Sequence, residues 1–158
     1  MDKTKILFVC LGNICRSPSA EAVMKALINE AGLSKQFEID SAGITGYHAG
    51  DNADERMQKH AIKRNYQLTS ISRKVDAPAD FDHFDYVIGM DSQNIMDLEN
   101  LTRNESDLAK IYKMTDFCSV HSENAVPDPY YGGAAGFELV LDILEDACEG
   151  LLKHIQNG

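Results

Sequence analysis

Residues 5–27, KILFVCLGNICRSPSAEAVMKAL, constrain the fold more than any other part of the chain. An apolar run ends at Cys10. The loop Leu11, Gly12, Asn13, Ile14 and Cys15 follows, and Arg16, Ser17 and Pro18 then open a helical pattern. A buried strand that passes through a short loop into a helix N-terminus is the opening of a parallel β-α-β unit. It also places unpaired backbone N–H groups and the positive end of a helix dipole at the loop, which favours an anion. Gly12 allows close backbone approach and Asn13 tolerates a left-handed conformation, so the loop is predicted to curl into a nest of N–H groups. Ser17 reads as the N-cap, Pro18 as the first helical residue and Glu21 as an acidic group of the first turn. Arg16 closes the nest as a planar, bidentate donor, and the guest of that size and charge is a phosphate-like oxyanion. Cys10 lies beneath it, at the strand end. The loop amides, the Ser17 hydroxyl and the Arg16 charge all favour its thiolate and would equally stabilise charge on a transferred phosphoryl group. Nucleophile and oxyanion clamp are one object. The loop lacks the glycine–lysine pair of a Walker loop.

Further strand-like runs are FEIDS (37–41), DYVIGM (85–90) and KIYKM (110–114). Helical spacing joins Val23, Met24, Leu27, Ile28 and Ala31 as far as Gly32, and further helices are expected over 53–64 and 92–100. The last helix is the clearest, with Phe137, Val140, Leu141, Leu144, Cys148, Leu151, Leu152 and Ile155 on one core-packing face. Strands alternating with helices predict an α/β fold. We expect a small doubly wound sheet of four parallel strands with helices on both faces, forming one domain over residues 1–158. Ligands of such sheets bind beyond the carboxyl ends of the strands. There the topology is expected to gather Cys10, Ser41, Asp91, Asp116 and the loop to Asp128.

Charge narrows the partners. A formal net charge of −10 disfavours non-specific nucleic-acid binding and anionic membranes, although a local cluster of donors can still hold an anionic substrate. No apolar run approaches membrane-spanning length and the first residues lack a leader cleavage site, so a cytosolic protein is expected. The four cysteines, Cys10, Cys15, Cys118 and Cys148, form no Cys-x-x-Cys pair, and no histidine pair stands at ligand spacing. Neither a structural disulfide framework nor a metal is expected.

A leaving group needs a proton. His48, His60, His83, His121 and His154 show no spacing that ties them to Cys10 and read as solvated surface residues. A better acid stands in AVPDPYYGGAAGF, residues 125–137, where Asp128 is held between two prolines that stiffen the backbone. Tyr130 and Tyr131 beside it are able to wall a slot for a flat ring.

Together these segments resemble the low-molecular-weight protein tyrosine phosphatase family, a likeness that extends to DSAG at 40–43, FDYVIGMD at 84–91 and DPYYGG at 128–133. The resemblance implies a phosphatase that works without metal or cofactor on phosphotyrosyl proteins or small aryl phosphates and releases inorganic phosphate. It implies that Cys10 forms a phosphocysteine, that Arg16 and the loop amides bind phosphate, and that Asp128 protonates the leaving oxygen and then activates water. It further implies that Asn13, Ser17 and Ser41 hold the loop, and that Tyr47, Tyr130 and Tyr131 line the substrate slot. Cys15 matches a loop cysteine that can pair reversibly with the nucleophile. Ser70 stands near the place of a histidine that vertebrate-type members use in the loop network. Two enzyme classes share the loop. Thiol-dependent arsenate reductases need a cysteine pair that this chain lacks between Cys15 and Cys118. Protein-arginine phosphatases tend to carry threonine where Ile14 stands, so Ile14 and the paired tyrosines favour an aryl leaving group. A phosphopeptide-binding or redox-sensing module would leave Asp128 without a task.

Overall fold

The computed structural model describes residues 2–158. Strand β1 (Thr4–Cys10) is followed by α1 (Arg16–Glu30), a 3₁₀ turn (Ser34–Gln36), β2 (Phe37–Gly43), α2 (Glu55–Ile62) and α3 (Ala79–His83). Then come β3 (Tyr86–Gly89), α4 (Ser92–Glu99), α5 (Glu105–Leu108), β4 (Ile111–Lys113), a second 3₁₀ turn (Met114–Phe117) and α6 (Ala134–Asn157). The four strands form one sheet in the order β2-β1-β3-β4, and every pairing is parallel, as expected. The chain winds from β1 outward to β2, then crosses back to β3 on the other side of β1. The carboxyl end of β1 is therefore the point where the winding reverses, the place where such sheets open a crevice.

Alternation along β1 assigns its residues to two cores. Ile6 and Phe8 pack with Met24 of α1, Met57 of α2 and Leu141 of α6. Leu7 and Val9 pack instead with Phe81 of α3 and Leu98 of α4. Both faces are covered, which is why β1 reads as a continuous apolar run. α1 stops where Gly32 takes φ 73°, a left-handed conformation that suits glycine after a helix end. α3 and α5, and both 3₁₀ turns, were not expected; α3 has five residues and α5 four, too short to show a periodicity.

One expectation about α1 is corrected. The helix begins at Arg16 with Cys15 in the N-cap position and no side-chain cap, so Ser17 is not the N-cap, Pro18 is not the first helical residue, and no acidic residue lies in the first turn. The Ser17 hydroxyl is hydrogen-bonded with the Cys10 sulfur at 3.1 Å and reaches the Ala42 carbonyl at 3.4 Å, and it does not cap helix amides. A tertiary partner has claimed the group that the local pattern assigned to capping.

α6 lies against the second 3₁₀ turn so closely that a Cβ at Gly150 would fall 1.8 Å from the Phe117 carbonyl oxygen. Alanine is favoured over glycine by about 1 kcal/mol within a helix. Overpacking costs more, so Gly150→Ala should destabilise the protein by about 2–3 kcal/mol. Urea unfolding with an unchanged m-value and a lower midpoint is the expected result, and a stabilised variant would contradict this packing.

Candidate active site

The phosphate loop, residues 11–15, joins β1 to α1. Asn13 takes φ 58°, the left-handed conformation expected of it. The carbonyls of Cys10, Leu11, Ile14 and Cys15 accept from Ile44, Thr45, Asp54 and Ser19 amides respectively, at 2.8–3.2 Å. The amides of Gly12, Asn13, Ile14 and Cys15 donate to no chain atom among the described residues. Carbonyls tied outward and amides left over are what an anion-binding nest requires.

Side chains hold this shape. Asn13 Nδ2 donates to Ser17 Oγ at 2.8 Å and to Ser41 Oγ at 3.0 Å, while its Oδ1 accepts the Arg73 amide at 3.0 Å. The Ser41 hydroxyl in turn donates to Glu21 Oε1 at 2.6 Å. Glu21 is buried and paired with Lys25 at 2.6 Å. It belongs to the loop network, a role that its place in the sequence did not reveal. The Ser72 hydroxyl donates to the Gly12 carbonyl at 3.0 Å. Support from this segment thus comes from Ser72, two residues beyond Ser70. Among the described residues no buried side-chain nitrogen or oxygen lacks a hydrogen-bond partner. A fully satisfied polar network of this kind rigidifies the loop it surrounds.

Cys10 is buried at the base of a cavity of about 400 Å³, its sulfur 3.1 Å from Ser17 Oγ. Leu11, Gly12, Ile14, Cys15, Arg16, Tyr47, Asp128, Tyr130 and Tyr131 line the same cavity, so the sequence-predicted site residues other than the supporting Asn13, Ser17 and Ser41 share it. Arg16 NH1 is held by Asp91 Oδ2 at 2.7 Å and the Val126 carbonyl at 3.0 Å, which leaves NH2 facing Asp128 Oδ2 at 3.8 Å. The other oxygen of Asp91 caps α4 through the Asn94 amide at 2.7 Å. One carboxylate therefore fixes both a helix start and the guanidinium. Asp128 accepts the Tyr130 amide on Oδ1 at 3.0 Å. Tyr47 and Tyr131 are 86% and 90% exposed, so the mouth of the cavity is an open aromatic rim.

Two expectations fail at the site. Asp116 does not join it: it lies in the second 3₁₀ turn and lines a separate groove with Ser92, Tyr112 and Lys113. His48 does join it, half-buried at the cavity wall, close enough that a Cβ at Gly12 would meet its Cδ2 at 3.0 Å. His60 is also half-buried, paired with Glu138 and stacked on Phe137. Burial pushes the Cys15 thiol up, and the neighbouring charges of Asp54, Cys10 and Asp128 push it the same way against Arg56. Cys15 therefore stays protonated at neutral pH.

The fold and its loop define the class first, a phosphate-loop α/β protein whose site lies at the reversal of a four-stranded parallel sheet. The chain belongs to the low molecular weight phosphotyrosine protein phosphatase family, whose sequence model matches residues 5–158. It is a protein-tyrosine phosphatase by that membership, and phosphocysteine catalysis is general to the family. A relative from Synechocystis, named within the same family, is 45% identical over 151 residues that cover 96% of each chain. The crystal structure of a protein tyrosine phosphatase from Entamoeba histolytica with Hepes in the active site is 50% identical, covers 99% of each chain and superposes with a TM-score of 0.96. The Drosophila arginine phosphatase is 31% identical, with 96% of this chain and 98% of that one covered and a TM-score of 0.89.

Proposed function

We propose that the chain is a single cytoplasmic catalytic domain that hydrolyses phosphotyrosine in proteins, and small aryl phosphates, with Cys10 as nucleophile and Asp128 as general acid and base. The observation that supports this best is the pairing across one cavity: the Cys10 sulfur at its base, and Asp128 on its wall, 3.8 Å from Arg16 NH2. The Cys10 thiolate attacks phosphorus, the bond from phosphorus to the aryl oxygen breaks, and Asp128 gives its proton to that oxygen. The loop amides and Arg16 stabilise charge on the phosphoryl oxygens in flight. Water then attacks the phosphocysteine as Asp128 takes its proton, the sulfur–phosphorus bond breaks, and inorganic phosphate leaves with the thiolate restored. Asn13, Ser17 and Ser41 keep the loop in shape, and Tyr47, Tyr130 and Tyr131 flank the aromatic ring. Cys15 lines the same cavity. It is the thiol that would trap a peroxide-generated sulfenic acid on Cys10, forming a disulfide and releasing water, and the protonation of Cys15 slows that step at neutral pH.

Phosphate release from matched phosphotyrosyl and phosphoarginyl peptides tests this, under reducing conditions with chelator present. We expect kcat/KM to be at least about tenfold higher for the phosphotyrosyl peptide, because Ile14 and the tyrosines present an apolar slot to a flat ring. Faster phosphoarginyl turnover would overturn the substrate reading and leave the loop chemistry standing. Silence on both peptides would overturn the enzyme reading.

A further inference from the structure

One side chain outside the cavity lining ties the loop that carries Asp128 to the phosphate loop. Arg56, second residue of α2, forks onto Asp54, with Nε to Oδ1 at 3.2 Å and NH2 to Oδ2 at 3.0 Å. From NH2 it also donates to the Tyr130 carbonyl at 3.1 Å. Its guanidinium lies 5.3 Å from the centroid of the Tyr130 ring and 5.1 Å from that of Phe137. At one end of this chain of contacts the Asp54 amide donates to the Ile14 carbonyl at 2.8 Å. At the other the Tyr130 amide donates to Asp128 Oδ1 at 3.0 Å. Among the described residues, the Arg56 bond is the one side-chain hydrogen bond from outside the segment to the backbone of residues 127–133.

We propose that Arg56 is a positioning residue for the reaction: by clamping Tyr130 to Asp54, it sets where Asp128 stands over the Cys10 sulfur. The inference rests on Asp128 being the general acid. Arg56 is 47% exposed, and an exposed ion pair by itself does little. What matters is shape. A planar fork can hold a carboxylate along one edge, donate to a carbonyl and lie against two aromatic rings at once, whereas a lysine ammonium has one nitrogen and no plane. Small displacements of a catalytic group are costly in rate, so a clamp at the base of a short loop has leverage on the proton transfer.

The test compares kcat/KM for phenyl phosphate and 4-nitrophenyl phosphate in the wild type, Asp128→Asn, Arg56→Met, Arg56→Lys and the Arg56→Met/Asp128→Asn double variant. kcat/KM reports the step that expels the aryl group, and phenol, with a pKa of about 10, needs the proton far more than the acidic nitrophenol. Asp128→Asn should lose about 100-fold on phenyl phosphate and much less on the nitrophenyl ester. Arg56→Met should show the same inequality, with a loss about tenfold larger for phenyl phosphate than for the nitrophenyl ester. Arg56→Lys should match Arg56→Met, and inhibition by inorganic phosphate should change less than about threefold in both. In the double variant, Arg56→Met should cost nothing further once Asp128 is gone. Equal losses on the two esters, recovery with lysine, or full additivity with Asp128→Asn would each overturn the clamp. If Asp128→Asn itself shows no leaving-group dependence, the general acid has been misassigned and the positioning role falls with it, a result separable from failure of Arg56 alone.

Discussion

Replacing Cys10 by serine is expected to lower kcat for a phosphotyrosyl peptide by about 10⁴-fold or more, because loss of a covalent nucleophile costs rate on that scale. The change is one atom. Serine can keep the contact with Ser17 that the sulfur makes at 3.1 Å, and the loop amides and Arg16 stay where they are. A serine hydroxyl, however, is far less acidic than a thiol, and among the described residues no histidine or lysine nitrogen is hydrogen-bonded to the Cys10 sulfur, His48 standing on the cavity wall without such a bond. Inorganic phosphate should therefore bind the variant within a few-fold of the wild type by calorimetry while turnover disappears. Retained turnover would mean that the nucleophile is elsewhere. Loss of both turnover and phosphate binding would mean that the sulfur maintains the loop rather than attacking phosphorus.

Arg16→Lys should cost about 10²–10³-fold in kcat/KM, comparable to removing a principal oxyanion donor. The Arg16 side chain is 4% exposed and already commits NH1 to Asp91 and to the Val126 carbonyl. The remaining edge is what faces the cavity and Asp128. A lysine nitrogen keeps the charge but cannot satisfy Asp91 and also present two parallel donors to a phosphoryl group. Phosphate affinity should fall alongside the rate, measured as weaker competitive inhibition. Near-normal kcat/KM in the lysine variant would show that charge alone suffices and that the bidentate geometry is incidental.

The strand, the loop and the anion site were legible because their signals are local. Six consecutive apolar residues, a glycine and a left-handed asparagine lie within a stretch short enough for adjacent residues to fix its backbone. The helix stripe on α6 was legible for the same reason, and the four-stranded parallel sheet followed from strands alternating with helices. Ser17 shows the limit of that reasoning. A serine before a proline fits the capping pattern, and nothing nearby in sequence says that a thiol seven residues earlier will take its hydroxyl.

The supporting cast was hidden by separation along the chain. Arg16 finds Asp91 across 75 residues and Val126 across 110, and Ser72 reaches Gly12 across 60. Arg56 meets Tyr130 across 74. His48, read as a surface residue, is folded against Gly12, and Asp116, expected at the strand ends, belongs to another groove. By itself the sequence determined what kind of site this is: an anion nest over a strand-end cysteine, with an acid tied to two prolines. Tertiary structure decided which carboxylate orients Arg16, which residues brace the loop, and how the Asp128 segment is held. Backbone conformation and periodicity depend on neighbours within a turn or two. Hydrogen-bond partners depend on which strand ends the sheet winding brings side by side, and no short stretch of this chain contains that information.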